Sequence, residues 1–201
     1  TRKAGAVLIF DEVITGFRLS LGGAQKHYGI TPDLAPFGKA IANGLPLAVI
    51  AGRAEIMRLF DEIFFSFTFG GELLSLAAAR ATMRKMEQEK VIEHLWAQGQ
   101  RLQDGFNTMA REVKLAQFVE CVGLAPHTVT PFKRADGSPW WELKSLFQQE
   151  CVRRGLLFTG THNACFAHKN IDTEQVLRVY ASVFPVIKDA VESKQVEARL
   201  E

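Results

Sequence analysis

The sequence predicts an α/β fold with a mainly parallel sheet, followed by a smaller α+β domain. Two unbroken apolar runs, Ala6–Phe10 and Leu47–Ala51, have the pattern of strands buried on both faces. Glycine-rich turns separate the predicted elements up to residue 71, and longer helical patterns follow. We therefore divide the chain into residues 1–95, part of a larger sheet domain, and residues 96–201, the small domain.

The first part alternates between short elements and turns. Thr15–Gly29 contains four glycines, too many for a long helix. We expect a short apolar strand at Leu34–Phe37, one helical turn at Ala40–Asn43 and a short helix at Arg53–Phe60.

Two helices are predicted next. Glu72–Leu95 is rich in strong helix formers, and Leu73, Leu76 and Met83 recur at helical spacing, which predicts that they face the core. A second helix is expected at Gln98–Arg111.

The remaining elements predict the α+β domain. One helix is expected to begin at Ser138-Pro139 and to end at Gly155, because a hydroxyl suits the N-cap and glycine the position after the last turn. Trp140 and Trp141 are expected in the core or at a domain boundary. The other expected elements are strands at Gln117–Val122, Thr128–Phe132 and Leu156–Thr159, and a last helix, Asp172–Glu192, bent at Pro185.

Composition narrows the function classes. The 201 residues carry a formal net charge of +2, which gives no reason to expect nucleic acid or an anionic membrane as a partner. Three cysteines without a CxxC pair suggest reduced thiols and a cytoplasmic location. The five histidines lack metal-ligand spacing, so no metal site is expected. Neither a membrane span nor a signal peptide is visible, and the start at Thr1 suggests that sequence is missing upstream.

Asp11 and Lys39 are the candidates for chemistry, because each follows an apolar strand-like piece. Ligands of open α/β sheets lie at the carboxyl ends of the strands. A buried lysine near such an edge has a lowered pKa, so that its amine can attack a carbonyl. A facing carboxylate can keep a ring nitrogen protonated, and the two together are the pairing that pyridoxal phosphate requires. The alternatives are that Asp11 caps the next turn, or that the two residues form a plain ion pair or are unrelated surface charges.

Three segments carry a family resemblance: LIFDEVITGFR, LGGAQKHYGITPDLAPFGKAIANGLPLAVIAGR and FTFGGELLSLAAA. In order and spacing they resemble the C-terminal half of a class III pyridoxal-phosphate-dependent aminotransferase of fold type I. The branch that they resemble most contains the glutamate-1-semialdehyde aminomutases. The segment THNACFAHKNID is also similar to that branch, although the likeness fades after about residue 100.

The resemblance implies roles for four residues. Asp11 would keep the pyridine nitrogen protonated, and Val13 would pack against one face of the ring. Lys39 would form the Schiff base with the cofactor and then move the substrate's proton as a general base and acid. Thr68 would bind the cofactor phosphate across the interface of a homodimer, next to two glycines that permit close approach.

Each of these residues also has a purely structural interpretation. Val13 is otherwise an ordinary core residue, and Thr68 a turn residue ahead of a helix that itself favours anions. Glu12 is expected to be structural. His162 and Asn163 either line the substrate side of a pocket or are satisfied structural residues.

The implied activity is transamination between an amino donor and a carbonyl acceptor, both small molecules. An intramolecular aminomutase reaction of the glutamate-1-semialdehyde type is the alternative within the same chemistry. The family's N-terminal half is lacking, and so is the arginine and proline-pair motif that binds substrate carboxylate in many members. The chain is therefore an enzyme if the other half complements it, and otherwise a non-catalytic fragment.

Overall fold

The computed structural model describes residues 1–201 as two compact units, Thr1–Glu93 and His94–Glu201. The first contains α1 (Gly23–Tyr28), β1 (Leu34–Phe37), β2 (Val49–Gly52), α2 (Ala54–Met57) and α3 (Leu73–Gln88). The helix α4 (Val91–Glu112) begins at the end of this unit. The second unit contains β3 (Val122–Leu124), β4 (His127–Val129), α5 (Trp141–Arg153), β5 (Thr161–His162) and α6 (Asn170–Glu192).

In the first unit the predicted strand Ala6–Phe10 is present only as a short parallel pairing. Ile9 forms a single bridge with Leu34, while β1 and β2 form a regular antiparallel pair from Leu34 opposite Gly52 to Phe37 opposite Val49. The side chains of Val7 and Ile9 are more than half exposed, so the predicted burial of this strand on both faces is wrong.

The long helix predicted at Glu72–Leu95 is in fact two helices. α3 ends at Gln88, and α4 begins at Val91 after Lys90, which has a left-handed φ of 50°. The buried side of α3 consists of Ser75 and Ala79, whereas the leucines and the methionine predicted to face the core are exposed. Ala79 packs with Ile41 and Ala42, so α3 supports the turn that begins at Lys39.

The second unit has a core formed by α4, α5 and α6 together with the antiparallel sheet β3-β4-β5. Rings fill its centre, where Phe106 contacts Phe147, Tyr180 and Phe184 with centroid distances of 5.0–5.7 Å. Rings in such edge-on and tilted arrangements stabilise a core beyond the area that they bury.

α5 begins at Trp141 with Trp140 as its N-cap, two residues later than predicted. Ser138 is held in the preceding turn, where its N–H and hydroxyl both donate to Asp136 and its carbonyl accepts from Arg134. Trp140 packs against the core, but Trp141 is 64% exposed and is therefore not a core residue. The end of the helix is as expected, since Gly155 follows the cap residue Arg154 with a left-handed φ of 78°.

The predicted strands of this unit are present in shortened or shifted form. β4 covers the start of the segment predicted at Thr128–Phe132, while Val119 and Phe132 form an isolated antiparallel bridge. Leu156–Thr159 is not a strand, and β5 follows it instead. α6 contains the whole predicted helix and continues through Pro185. None of the helices has the length and apolar character that crossing a bilayer requires.

Candidate active site

The segment Leu8–Glu12 runs parallel to β1 and is fixed to it by backbone hydrogen bonds. The N–H of Phe10 donates to the carbonyl of Leu34, and the N–H of Glu12 donates to that of Pro36, both at 3.0 Å. The two strands therefore end at the same edge, where Asp11 leaves one and Gly38-Lys39 leaves the other.

A buried carboxylate sets this alignment at the other end of the pairing. The two oxygens of Asp33 accept from the N–H of Leu8 at 2.8 Å and from the guanidinium of Arg53 at 3.1 Å. The hydrogen bond from Leu8 and the one from Arg53 hold the pKa of Asp33 below its ordinary value. Asp33 thus links Leu8, β1 and the residue after β2.

Asp11 and Glu12 are neighbours with opposite environments. The side chain of Asp11 is exposed, and one of its oxygens accepts from the N–H of Val13 at 3.0 Å. This hydrogen bond is the turn-capping interaction that the sequence left open, made by a side chain that remains exposed. Glu12 is completely buried.

Glu12 has a structural role at the start of α1. Its carboxylate accepts from the N–H groups of Ala24 at 2.8 Å and Gln25 at 2.9 Å, and from the hydroxyl of Thr15. Backbone N–H groups at a helix start need such acceptors when they are buried. These contacts agree with the expectation that Glu12 is a structural residue.

Val13 packs close to Gly38, the residue that precedes Lys39. A Cβ added at Gly38 would be 3.5 Å from Cγ1 of Val13, so the valine lies directly over this glycine. Lys39 is exposed, not buried as expected, and has a left-handed φ of 44°. Lysines 90, 114 and 194 share such a φ after helix ends, whereas Lys39 has it at the first residue of a single 3-10 turn, Lys39–Ile41, which Gly38 separates from β1.

Thr68 is not hydrogen-bonded to the other predicted site residues. It is exposed at the start of the turn 68–71, and no hydrogen bond joins it to Asp11, Val13 or Lys39. The N–H groups of Phe69 and Gly71 make no backbone hydrogen bond. The start of α3 is occupied by Glu72, whose carboxylate accepts from Leu74 and Ser75, so a bound anion would have to use the turn and not the helix start.

His162 belongs to the core of the second unit. Its Nδ1 lies 2.9 Å from the hydroxyl of Thr128, and its Nε2 lies 2.8 Å from that of Tyr180. Burial lowers the pKa of His162 to about 4. Asn163 is exposed and contacts Nδ1 of His127. Both ring nitrogens of His162 therefore have partners in the core, and His162 and Asn163 also line a cavity of about 260 Å³.

The comparison with protein families is decisive. The profile described as aminotransferase class-III matches residues 1–167. The chain belongs to the class-III aminotransferase family. This match includes the strand pairing, the Lys39 turn and the 68–71 turn of the first unit.

Curated relatives of this class-III chain are glutamate-1-semialdehyde 2,1-aminomutases. That of Sulfurihydrogenibium azorense is 42% identical over 93% of the chain and 47% of its own length. That of Rhodopirellula baltica is 34% identical over 82% of the chain and 38% of its own length. The chain thus spans less than half the length of these relatives.

Solved structures agree with the fold. The FumI protein of Sphingopyxis sp. MTA144, solved in its PLP internal aldimine form, superposes with a TM-score of 0.84 at 25% identity. It covers 96% of this class-III chain, which covers 46% of FumI. An omega-transaminase from Sphaerobacter thermophilus gives 0.83 at 25% identity, over 94% of the chain and 46% of its own. These likenesses confirm the predicted α/β fold as part of an aminotransferase.

Proposed function

We propose that the chain supplies the lysine, the carboxylate and one ring-packing residue of a pyridoxal-phosphate-dependent transaminase. The observation that carries the proposal is the parallel pairing of Leu8–Glu12 with β1, which directs Asp11 and Lys39 to one edge. Family membership and the FumI likeness support the same cofactor.

The residues at this edge fit pyridoxal phosphate in their chemistry. An exposed amine and an exposed carboxylate follow neighbouring strands, and Val13 packs close to the buried Gly38 that precedes the lysine. When bound, the cofactor supplies a ring that stabilises the negative charge left when an amino donor loses its α proton. A planar ring needs an apolar contact on its face, which the branched side chain of Val13 provides.

Each residue has a distinct task in the proposed reaction. Asp11 holds a proton at the ring nitrogen, because a carboxylate stabilises the adjacent N–H+. Lys39 accepts the α proton of the donor and later returns a proton, which is general base and acid catalysis. Thr68 donates its hydroxyl to the phosphate, together with the N–H groups of Phe69 and Gly71.

Thr68 serves the site of a second subunit in this proposal, and the protein is a homodimer. Two observations support it: Thr68 makes no hydrogen bond to Asp11, Val13 or Lys39, and several residues around it are exposed and apolar. Phe64, Phe67 and Phe69 are at least half exposed, as are Leu73 and Leu74. Exposed apolar surface of this extent is typical of an interface.

The amino donor and the carbonyl acceptor are small molecules, and the cytoplasm is the proposed location. Cys121, Cys151 and Cys165 are all free thiols, which a reducing compartment maintains.

An intramolecular aminomutase is the second candidate, because the curated relatives carry that name. The two reactions differ in whether the amino group leaves the substrate. Turnover of glutamate-1-semialdehyde without any added carbonyl acceptor favours the aminomutase, and strict dependence on an acceptor favours the transaminase.

Borohydride reduction of the intact protein tests the proposed cofactor attachment. We expect one pyridoxyl group, located on Lys39 by peptide mass, and loss of turnover in Lys39→Ala. A protein reconstituted with pyridoxal phosphate that yields no adduct at Lys39 would refute the proposal and leave the non-catalytic fragment.

The neighbouring carboxylates provide a matched pair for the role of Asp11. Asp11→Asn is expected to lower kcat at least about 100-fold at unchanged stability, because its side chain is exposed and the amide oxygen still caps Val13. Glu12→Gln is expected to cost about 2 kcal/mol of unfolding free energy, because a buried acceptor of three hydrogen bonds loses its charge. If Asp11→Asn keeps the wild-type kcat, the role given to Asp11 is wrong.

A further inference from the structure

A cavity of about 340 Å³ lies in the second unit, beside the start of α5. This volume is in the range of small-molecule sites. Its walls are the end of β4, the turn at residue 137, the start of α5 and the residues around Gly160. Most of the lining is apolar, and Thr159 and Thr161 add hydroxyl groups.

The charges of this cavity all have one sign. Lys133 and Lys144 are the only charged residues that line it, and neither forms an ion pair with a carboxylate. The nearby Arg134 and Glu142 satisfy each other at 2.7 Å and lie outside the lining. An apolar cavity with two cations and no acid is chemically suited to an organic anion.

Lys144 is held in place without a counter-ion. Its ammonium lies 5.6 Å from the ring centroid of Trp141, one helical turn earlier on the same face. Its Cε would be 2.9 Å from a Cβ at Gly160, a position that also has a left-handed φ of 92°. Only glycine combines this backbone with room for the lysine stem.

Two other cavities lack this combination. A cavity of about 780 Å³ in the first unit contains Lys26 and Arg53, but Arg53 already pairs with Asp33 and Glu55. A cavity of about 260 Å³ in the second unit is lined by Asp172 and by the buried His162. Of these three cavities, the one at α5 combines two lysines without an ion pair and an exposed aromatic ring.

We propose that the cavity at α5 binds a small organic carboxylate with a flat apolar group. Lys144 and Lys133 bind the carboxylate, and Trp141 stacks on the apolar group. The single exposed ring explains the preference for a flat ligand over a compact inorganic anion, since stacking adds to the charge interaction. This inference does not depend on the proposed cofactor chemistry.

Calorimetric titration of the intact protein with benzoate tests this proposal. Benzoate should bind, benzyl alcohol at least about tenfold more weakly, and phosphate likewise, because each lacks one of the two recognised groups. Lys144→Met should weaken benzoate binding about tenfold, and Lys144→Arg should keep it within about threefold.

Lys169→Met is the matched control. Lys169 also lies over a ring, 5.1 Å from the centroid of Phe166, but outside this cavity, so its replacement should leave benzoate affinity unchanged. In the NMR spectrum, the indole N–H resonance of Trp141 is assigned as the one that Trp141→Phe removes. This resonance should shift when the wild-type protein is titrated with benzoate. Undetectable benzoate binding, equal affinity for phosphate, or equal loss in Lys144→Met and Lys169→Met would each overturn the proposal.

Discussion

At the scale of single residues, adjacent side chains of the same chemical type can differ completely in burial. Asp11 and Glu12 are adjacent carboxylates after one apolar run, yet one is exposed and the other is completely buried. The position of both residues at a strand end could be predicted, because the apolar run before them is a local pattern. The hydrogen bonds from Ala24 and Gln25 to Glu12 could not be predicted, because they depend on how the chain folds back.

The burial of His162 leads us to expect that acid lowers the stability of the second unit. Its pKa is lowered from an ordinary value of 6.5 to about 4 by burial, so between these values the unfolded chain binds the proton and the folded chain does not. The free energy of unfolding should therefore fall as the pH drops from 6.5 towards 4, by about 2 kcal/mol at pH 5.

The groups that face His162 do not offset this penalty. Thr128 and Tyr180 contact its two nitrogens, Cys121 lies 3.5 Å from Nδ1, and burial raises the pKa of both Tyr180 and Cys121. All three stay uncharged on acidification. Urea unfolding at pH 7 and pH 5 measures the effect, and His162→Gln should be less stable at pH 7 but lose less between the two pH values. Equal losses in both proteins would exclude His162 as the cause.

At the scale of elements, helices were predicted well and their faces less well. The repeat of leucines on α3 indicates a helix correctly, but its buried side carries Ser75 and Ala79. Helical spacing identifies an apolar stripe without identifying what the stripe contacts. Small residues face the Lys39 turn because Ile41 and Ala42 approach α3 closely.

The break between α3 and α4 had no clear sequence signal. Neither glycine nor proline occurs between Gln88 and Val91, and Lys90 takes the left-handed conformation that glycine usually supplies. Strand bounds were shifted for a related reason: β4 and β5 are only three and two residues long, so pairing partners and not local pattern decide where they begin.

At Gly99, α4 packs tightly on the turn between β3 and β4. A Cβ there would lie 1.8 Å from the carbonyl oxygen of Ala125, and backbone cannot move aside easily. Gly99→Ala should therefore lower the free energy of unfolding by about 3 kcal/mol, as measured by urea titration.

Gly105 on the same helix provides the control. A Cβ at Gly105 would meet Cδ2 of Leu177 at 2.5 Å, which is the flexible end of a side chain. The gain in helix propensity, about 1 kcal/mol, offsets the shift of that leucine, so Gly105→Ala should change stability by less than about 1 kcal/mol. Equal effects of the two substitutions would mean that the contact with Ala125 is not rigid.

At the scale of the whole molecule, the exposed apolar surface of the first unit requires explanation. Phe64 is 96% exposed and Leu73 is 77% exposed, and both flank the turn that contains Thr68. The sequence motif FTFGG assigned this turn to phosphate binding by resemblance. Its exposure was not predictable, because a run of phenylalanines ordinarily indicates a core.

The proposed homodimer predicts that Leu73→Glu separates the subunits. A glutamate in the first turn of α3 suits the helix itself, so the fold should persist while a buried charge at the interface opposes association. Analytical ultracentrifugation should give a weight close to that of one subunit for the variant and two for the wild type. Val152→Glu, at an exposed position on α5, is the control and should remain dimeric.

The same variant connects assembly to the proposed site. If Thr68 serves the partner subunit, Leu73→Glu should also weaken the binding of pyridoxal phosphate, while borohydride still attaches the cofactor to Lys39 at saturating concentration. An equilibrium titration followed by absorbance measures this affinity at protein concentrations where the variant is monomeric. A monomeric variant with the wild-type affinity would show that Thr68 contributes nothing across an interface, whereas a dimeric variant would place the interface away from Leu73.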